Sequence, residues 1–239
     1  MRKQSSSSRL RRLLHPRRLA VLVVAAAALG GGVAFAASLI VTSADLTTYS
    51  VATTVPVSSC TVTSIADTYA DQAALSAGSN FGGGTTMLVE SSVTSVTLLP
   101  SNKRSFVRFD LSSCSIPSVA SVVSATLNLY LSTAPSASRT YDTFRVTGSW
   151  GETTLTWNNQ PAVAATATAS VATGSTSGTT LSWNVAGDVQ SFVSGAATNN
   201  GWRISDRSES STTTRTGRFA TREAGTATQR PTLTITYYP

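Results

Sequence analysis

Histidine is nearly missing from this 239-residue chain: its single copy, His15, lies in a basic N-terminal leader, and residues 19–239 contain none. That absence removes Ser-His-Asp and Cys-His nucleophilic chemistry from the rest of the chain, together with any histidine-ligated zinc or transition-metal site. Charge is also scarce, at 12% Asp, Glu, Lys and Arg. An enzyme built here would have to rely on carboxylates, Tyr or Lys. No local motif pairs two of the acids as a glycosidase or lyase would need, so the expectation is a non-catalytic protein. Cysteine is limited to Cys60 and Cys114. In an oxidising compartment an even pair is a candidate disulfide, with two free thiols as the alternative.

Long apolar runs are absent with one exception. Residues 19–41 (LAVLVVAAAALGGGVAFAASLIV) carry no charge and follow a leader, residues 1–18, with seven Lys/Arg and no acid. The remaining chain holds eleven Lys/Arg against eleven Asp/Glu, so the formal net charge of +7 belongs to the leader alone. This argues against nucleic acid as a partner. A basic flank followed by an apolar run is an export signal or a membrane anchor, with the basic end kept in the cytoplasm. Two outcomes stay open. The run is long enough to span a bilayer core, and Ala34-Phe35-Ala36 offers a small-residue site for cleavage before Ala37. Residues 42–59 are a Ser/Thr-rich spacer, and 60–239 form one exported domain, secreted or held at the membrane.

What remains is rich in Thr, Ser, Val and Ala, which favours strands. Period-two alternation is clear in 104–111, 122–131 and 231–238. In 122–131, Val123, Ala125, Leu127, Leu129 and Leu131 share the inward face. Further strands are expected at 62–70, 85–90, 141–147, 163–171, 179–183 and 216–221. The fold class is therefore all-β, a jelly-roll β-sandwich. One short helix is expected over 184–195, with Val185, Val189, Phe192 and Val193 at helical spacing, Asn184 as its cap and Gly195 as its end.

A series of short motifs runs in order through 61–238. It opens with Ala66-Asp67-Thr68-Tyr69, Ser79-Asn80-Phe81-Gly82, Arg108-Phe109-Asp110-Leu111 and Ala125-Thr126-Leu127. Trp150-Gly151-Glu152 and Thr156-Trp157-Asn158-Asn159-Gln160-Pro161 come next. Asp188-Val189-Gln190, Asn200-Gly201-Trp202 and Phe219-Ala220-Thr221-Arg222-Glu223 follow, and Arg230-Pro231-Thr232-Leu233-Thr234-Ile235-Thr236-Tyr237 ends the series. In these pieces the chain resembles the DNRLRE domain, also classed as carbohydrate-binding module family 96. The resemblance implies a secreted jelly-roll module, often appended to larger extracellular proteins, with relatives that bind acidic plant or algal polysaccharides. The chain departs from the family at Arg203-Ile204-Ser205, where relatives have a more apolar strand, and in its cysteine pair.

Two sets of residues are candidates. If their strands are neighbours, Arg104, Phe106, Arg108, Asn128 and Tyr130 project to one side, extended by Tyr141 and Arg145. Arginine supplies bidentate donors for carboxylates, and aromatics supply flat contact for sugar faces. The alternative is an ordinary solvated face, or one covered by another segment. The second set is a structural motif of Trp150, Glu152, Trp157, Asn158, Asn159, Pro161, Arg222 and Glu223. Here a tryptophan is either a core anchor or a stacking platform. Asp67, helped by carbonyls of the Gly-rich turn 82–84, is a candidate calcium ligand; otherwise no cofactor is expected. The functional expectation is an extracellular module whose partner is a polysaccharide or another cell-envelope component. A structural or adhesive surface module without a specific glycan is the alternative.

Overall fold

β-branched and aromatic residues alternating with Thr and Ser produce ten strands and one helix in the computed structural model, which describes residues 56–94 and 99–239. The strands are β1 (Ser58–Asp71), β2 (Thr86–Ser91), β3 (Lys103–Phe109), β4 (Ser121–Thr133), β5 (Thr140–Arg145), β6 (Ala169–Ala172), β7 (Thr179–Asn184), β8 (Trp202–Asp206), β9 (Arg215–Ala220) and β10 (Thr232–Tyr238). The helix α1 (Ala186–Val193) follows β7. The leader, the apolar run 19–41 and the spacer as far as residue 55 lie outside the described residues. Among the described residues no helix is long and apolar enough to cross a membrane.

All pairings are antiparallel. The hydrogen-bonded order β1-β10-β4-β9-β2-β3 closes on itself because β3 also pairs with β1. Six strands thus form a barrel-like ring, a closure that reduces the exposed sheet edge that would otherwise template aggregation. β8, β5 and β6 extend the sheet beyond β3, and β7 pairs with the free side of β4. Closure depends on the length of β1. Its first half, Ser58 to Thr63, pairs with β10, and its second half, from Ser64, pairs with β3. A register shift between Ser64 and Ala66 turns the strand from one partner to the other and leaves Ile65 exposed.

The inner faces bury Phe109, Leu127, Leu129, Leu131, Tyr141, Trp183, Trp202 and Phe219 in one core. Each such side chain contributes roughly 1.5–3 kcal/mol by burial. Cys60 on β1 is bonded to Cys114 in the single turn after β3, with Cα atoms 5.7 Å apart. A second, smaller core lies on the opposite face of the β1–β3–β8–β5 sheet. There Ala66, Ala70, Phe106, Val146, Trp150 and Leu155 pack together, with Trp157 and Val163 at its margin. The segment 147–163 forms its lid.

Several sequence expectations are corrected. Val123 is 48% exposed rather than core-facing. The β10–β4 register slips between Thr236 and Tyr237, so Val123 becomes the unpaired extra residue and the alternation inverts there. Only Ala169–Ala172 of the expected strand 163–171 is a strand, with an isolated bridge from Val163 to Val146. The intervening Ala-Ala-Thr-Ala-Thr supplies no large side chain to bury. β8 is an addition to the expected strands: Trp202–Asp206 offers only five residues, too short a stretch for its alternation to stand out. The helix starts at Ala186 without a side-chain cap, although Asn184 Oδ1 accepts the Ala186 N–H at 3.1 Å.

Candidate functional site

Strand order decides which outward side chains can meet. β3 pairs with β1, β2 and β8, whereas β4 pairs with β10, β7 and β9. Arg104, Phe106 and Arg108 therefore cannot share a patch with Asn128 and Tyr130. Those two lie on the uncharged outer face of β4, where Asn128 Oδ1 accepts the Ser182 hydroxyl at 2.7 Å. Phe106 is fully buried, because segment 147–163 lies over it and places the Trp150 ring 5.9 Å away. Tyr141 points to the inner core instead. Its hydroxyl donates to the Val89 carbonyl, and burial pushes its pKa above the ordinary phenol range. The expected single patch of seven residues is thus split among four places: the β3 face, the β4 face, the inner core and, for Arg145, a separate cleft.

What remains open on the β3–β8–β5 face is a band of guanidinium groups and rings beside the lid. Registration places Phe106 opposite Arg203 and Arg203 opposite Phe144, so these three share the outer face. The Arg104 guanidinium sits 4.5 Å from the Trp157 ring centroid and makes a bidentate pair with Glu209 at 2.7 Å for both bonds. Gln160 accepts a further bond from Arg104 at 3.3 Å. Arg203 lies 4.6 Å over the Phe144 ring. None of the ion pairs among the described residues includes Arg203. Its buried Nε has no hydrogen-bond acceptor, and burial followed by repulsion from Arg104 lowers its pKa to about 10. Such a group gains from a ligand carboxylate or hydroxyl. Trp157, Phe144 and Arg203 are each partly exposed. Arg108 is further along the face, tucked over Trp150 at 5.3 Å and donating to the Trp150 carbonyl.

The tryptophan motif folds as a corner. Trp150 is 9% exposed and its Nε1–H donates to the Asn200 carbonyl at 2.8 Å. Asn159 Oδ1 accepts the Thr156 N–H while the Thr156 side chain accepts the Asn159 N–H, a capping box, and Asn159 Nδ2 also donates to the Thr154 carbonyl. The Asn158 N–H donates to the Ala77 carbonyl, and Pro161 packs against Gly148. Trp157 is the aromatic of the corner that keeps a partly open face.

Beneath the corner lies a carboxylate cluster. Glu152 accepts both Arg222 Nε and Nη2 at 2.8 Å, and Glu223 Oε1 lies 2.9 Å from Arg222 Nε. The Asp67 N–H donates to Glu152 Oε1 at 2.9 Å. Asp67 Oδ2 accepts the Ser64 hydroxyl at 2.8 Å and the Arg222 N–H at 2.9 Å. Burial raises the Asp67 pKa to about 7 against the opposing pull of those two bonds. The sequence marked all four residues but carried no sign that they converge, since they come from β1, the lid and the turn after β9.

Arg145 lines a separate cleft of about 410 Å³ with Thr166, Thr168, Asn184 and Asp188. Its polar groups already satisfy one another. Asp188 accepts Thr168 at 2.6 Å and the Trp202 indole N–H at 2.8 Å, and pairs with Arg145 at 3.3 Å. Arg203, Phe144, Gln160 and Glu209 were not among the sequence candidates. The departure at Arg203-Ile204-Ser205 was the one signal that could have pointed to them.

The family model described as carbohydrate-binding module family 96 matches residues 58–237. No curated protein matches the chain.

Proposed function

The chain belongs to carbohydrate-binding module family 96, and from that membership we propose that it is a non-catalytic module that binds acidic polysaccharide through the Arg104–Arg203 band. The observation that carries the location is Arg203, a guanidinium on an aromatic face whose buried Nε lacks an acceptor. A uronate carboxylate would pair with the exposed part of that guanidinium, which no ion pair among the described residues uses, and the partly open Trp157 and Phe144 rings would contact sugar faces. The Arg104–Glu209 pair would be the competitor that a bound carboxylate displaces or joins. We read the module as exported, with 19–41 as its signal or anchor and residues 1–18 on the cytoplasmic side. The same family supports reading the strand arrangement as a jelly-roll sandwich.

Affinity electrophoresis of the full chain through gels containing alginate, pectin or neutral dextran tests this reading. Retardation is expected with the acidic polymers, weakening as salt rises. Arg203→Ala should weaken it about 10–100-fold, the equivalent of one charge-assisted hydrogen bond. Asn184→Ala, in the separate cleft, should leave it unchanged. Equal retardation by dextran would reject the acidic ligand, and the opposite variant pattern would move the site to the cleft.

A further inference from the structure

We propose that Asp67, Glu152 and Glu223 bind one calcium ion, which clasps β1, the lid and the turn after β9 together. One carboxylate oxygen of each residue lies within 4.8 Å of the other two. The hydrogen bonds around the cluster leave specific lone pairs over. Asp67 is fully buried, yet its Oδ1 has no hydrogen-bond partner. Glu223 Oε2 is likewise buried and unpartnered. Glu152 Oε2 accepts one bond, from Arg222, and so keeps a free lone pair. Two buried carboxylate oxygens left unpartnered within one cluster of three acids are costly without a cation, because buried acceptors are otherwise satisfied.

Charge points to a divalent ion. Three carboxylates against the single guanidinium of Arg222 leave two negative charges when all are ionised. An all-oxygen donor set excludes the softer transition metals. Three carboxylates in irregular array suit calcium, which takes six to eight oxygens, whereas magnesium usually takes one or two carboxylates and keeps more water. The site is not sealed: the side chains of Glu152, Glu223 and Arg222 are 13%, 25% and 42% exposed, so water can complete the shell and the ion can enter. The backbone is drawn tight around the acids. Asn80 Nδ2 donates to the Glu152 and Leu155 carbonyls, both at 2.7 Å, and a Cβ at Gly82 would meet the Glu152 carbonyl oxygen at 2.1 Å.

The test is isothermal titration of the full chain with CaCl₂ after EDTA treatment and dialysis, with thermal unfolding followed in parallel. One ion per chain is expected, with a rise in midpoint on the order of 5–10 °C at saturating calcium. Magnesium should bind at least about tenfold more weakly. Asp67→Asn and Glu223→Gln should each weaken calcium binding at least about tenfold and shrink the thermal shift. Wild-type protein that neither takes up calcium nor shifts its midpoint would overturn the proposal, as would folded variants that bind calcium as the wild type does. Magnesium binding as tight as calcium would overturn the assignment of the ion. If either variant fails to fold, the wild-type titration alone decides. The readout uses no glycan, so it stands or falls separately from the carbohydrate reading.

Discussion

Gly201 is the residue whose identity is most tightly constrained. It has φ +73°, and a Cβ there would lie 2.0 Å from the Val107 carbonyl oxygen. Its N–H accepts no freedom either, being bound to Asn199 Oδ1 at 3.2 Å, and its carbonyl receives the Val146 N–H at 2.9 Å. The neighbour in collision is backbone, so no side-chain rotation can relieve it. Gly201→Ala should therefore destabilise the domain by about 3 kcal/mol or more, combining positive-φ strain with overpacking. In a thermal melt this should appear as a fall on the order of 10 °C. A loss of less than 2–3 °C (roughly 1 kcal/mol) would mean that the turn between α1 and β8 can shift. The Asn200-Gly201-Trp202 string was visible in the sequence, but the reason for its glycine was not. That reason is the approach of Val107 on β3, 94 positions earlier in the chain.

Elements show how far a periodic pattern can be read. Alternation located β3, β4 and β10, while strand-favouring composition between turn-rich pieces located β1, β2, β5, β7 and β9. It could not reveal that β3 buries both faces. Its Arg104-Ser105-Phe106-Val107-Arg108 pattern suits a half-solvated strand, and only the lid from 147–163 converts Phe106 into core. The disulfide acts at the same scale. Cys60–Cys114 links the first half of β1 to the turn after β3 across 54 positions. In the chain-entropy picture a loop of that size contributes about 4 kcal/mol. Reduction, or the double change Cys60→Ser with Cys114→Ser, should lower the denaturant midpoint accordingly without changing far-UV circular dichroism at room temperature. An unchanged midpoint would show that the bond does not narrow the unfolded ensemble, because the reduced unfolded chain already retains comparable structure.

At the scale of the whole molecule, the ring of six strands and the covered outer face together decide where a ligand can reach. Of the seven sequence candidates for ligand contact, only Arg104 stays in the guanidinium and aromatic band with an open edge. Arg108 is tucked under the lid, Phe106 and Tyr141 are buried, Asn128 and Tyr130 face elsewhere, and Arg145 lines the cleft. The export reading also belongs to this scale, and N-terminal sequencing of the protein from its own cells tests it. A chain beginning at Ala37 in the medium would establish a cleaved signal, and intact Met1 in the membrane fraction an anchor. Intact Met1 in soluble cytosol would reject export.

The sequence by itself determined the β-rich class, the short helix after β7, the family and the pairing partners available to two cysteines. Each of these rests on local alternation, on composition or on motifs in chain order, which need no knowledge of what packs against what. Tertiary structure alone decided that both faces of β3 are covered, that β1 serves two partners, and that Asp67, Glu152, Arg222 and Glu223 meet. It also decided that Arg203 stands on Phe144 beside Arg104. The physical reason is common to all of these. Burial and electrostatic environment are set by neighbours distant in sequence, and a one-residue slip in register, as at Val123, reverses the side a residue faces.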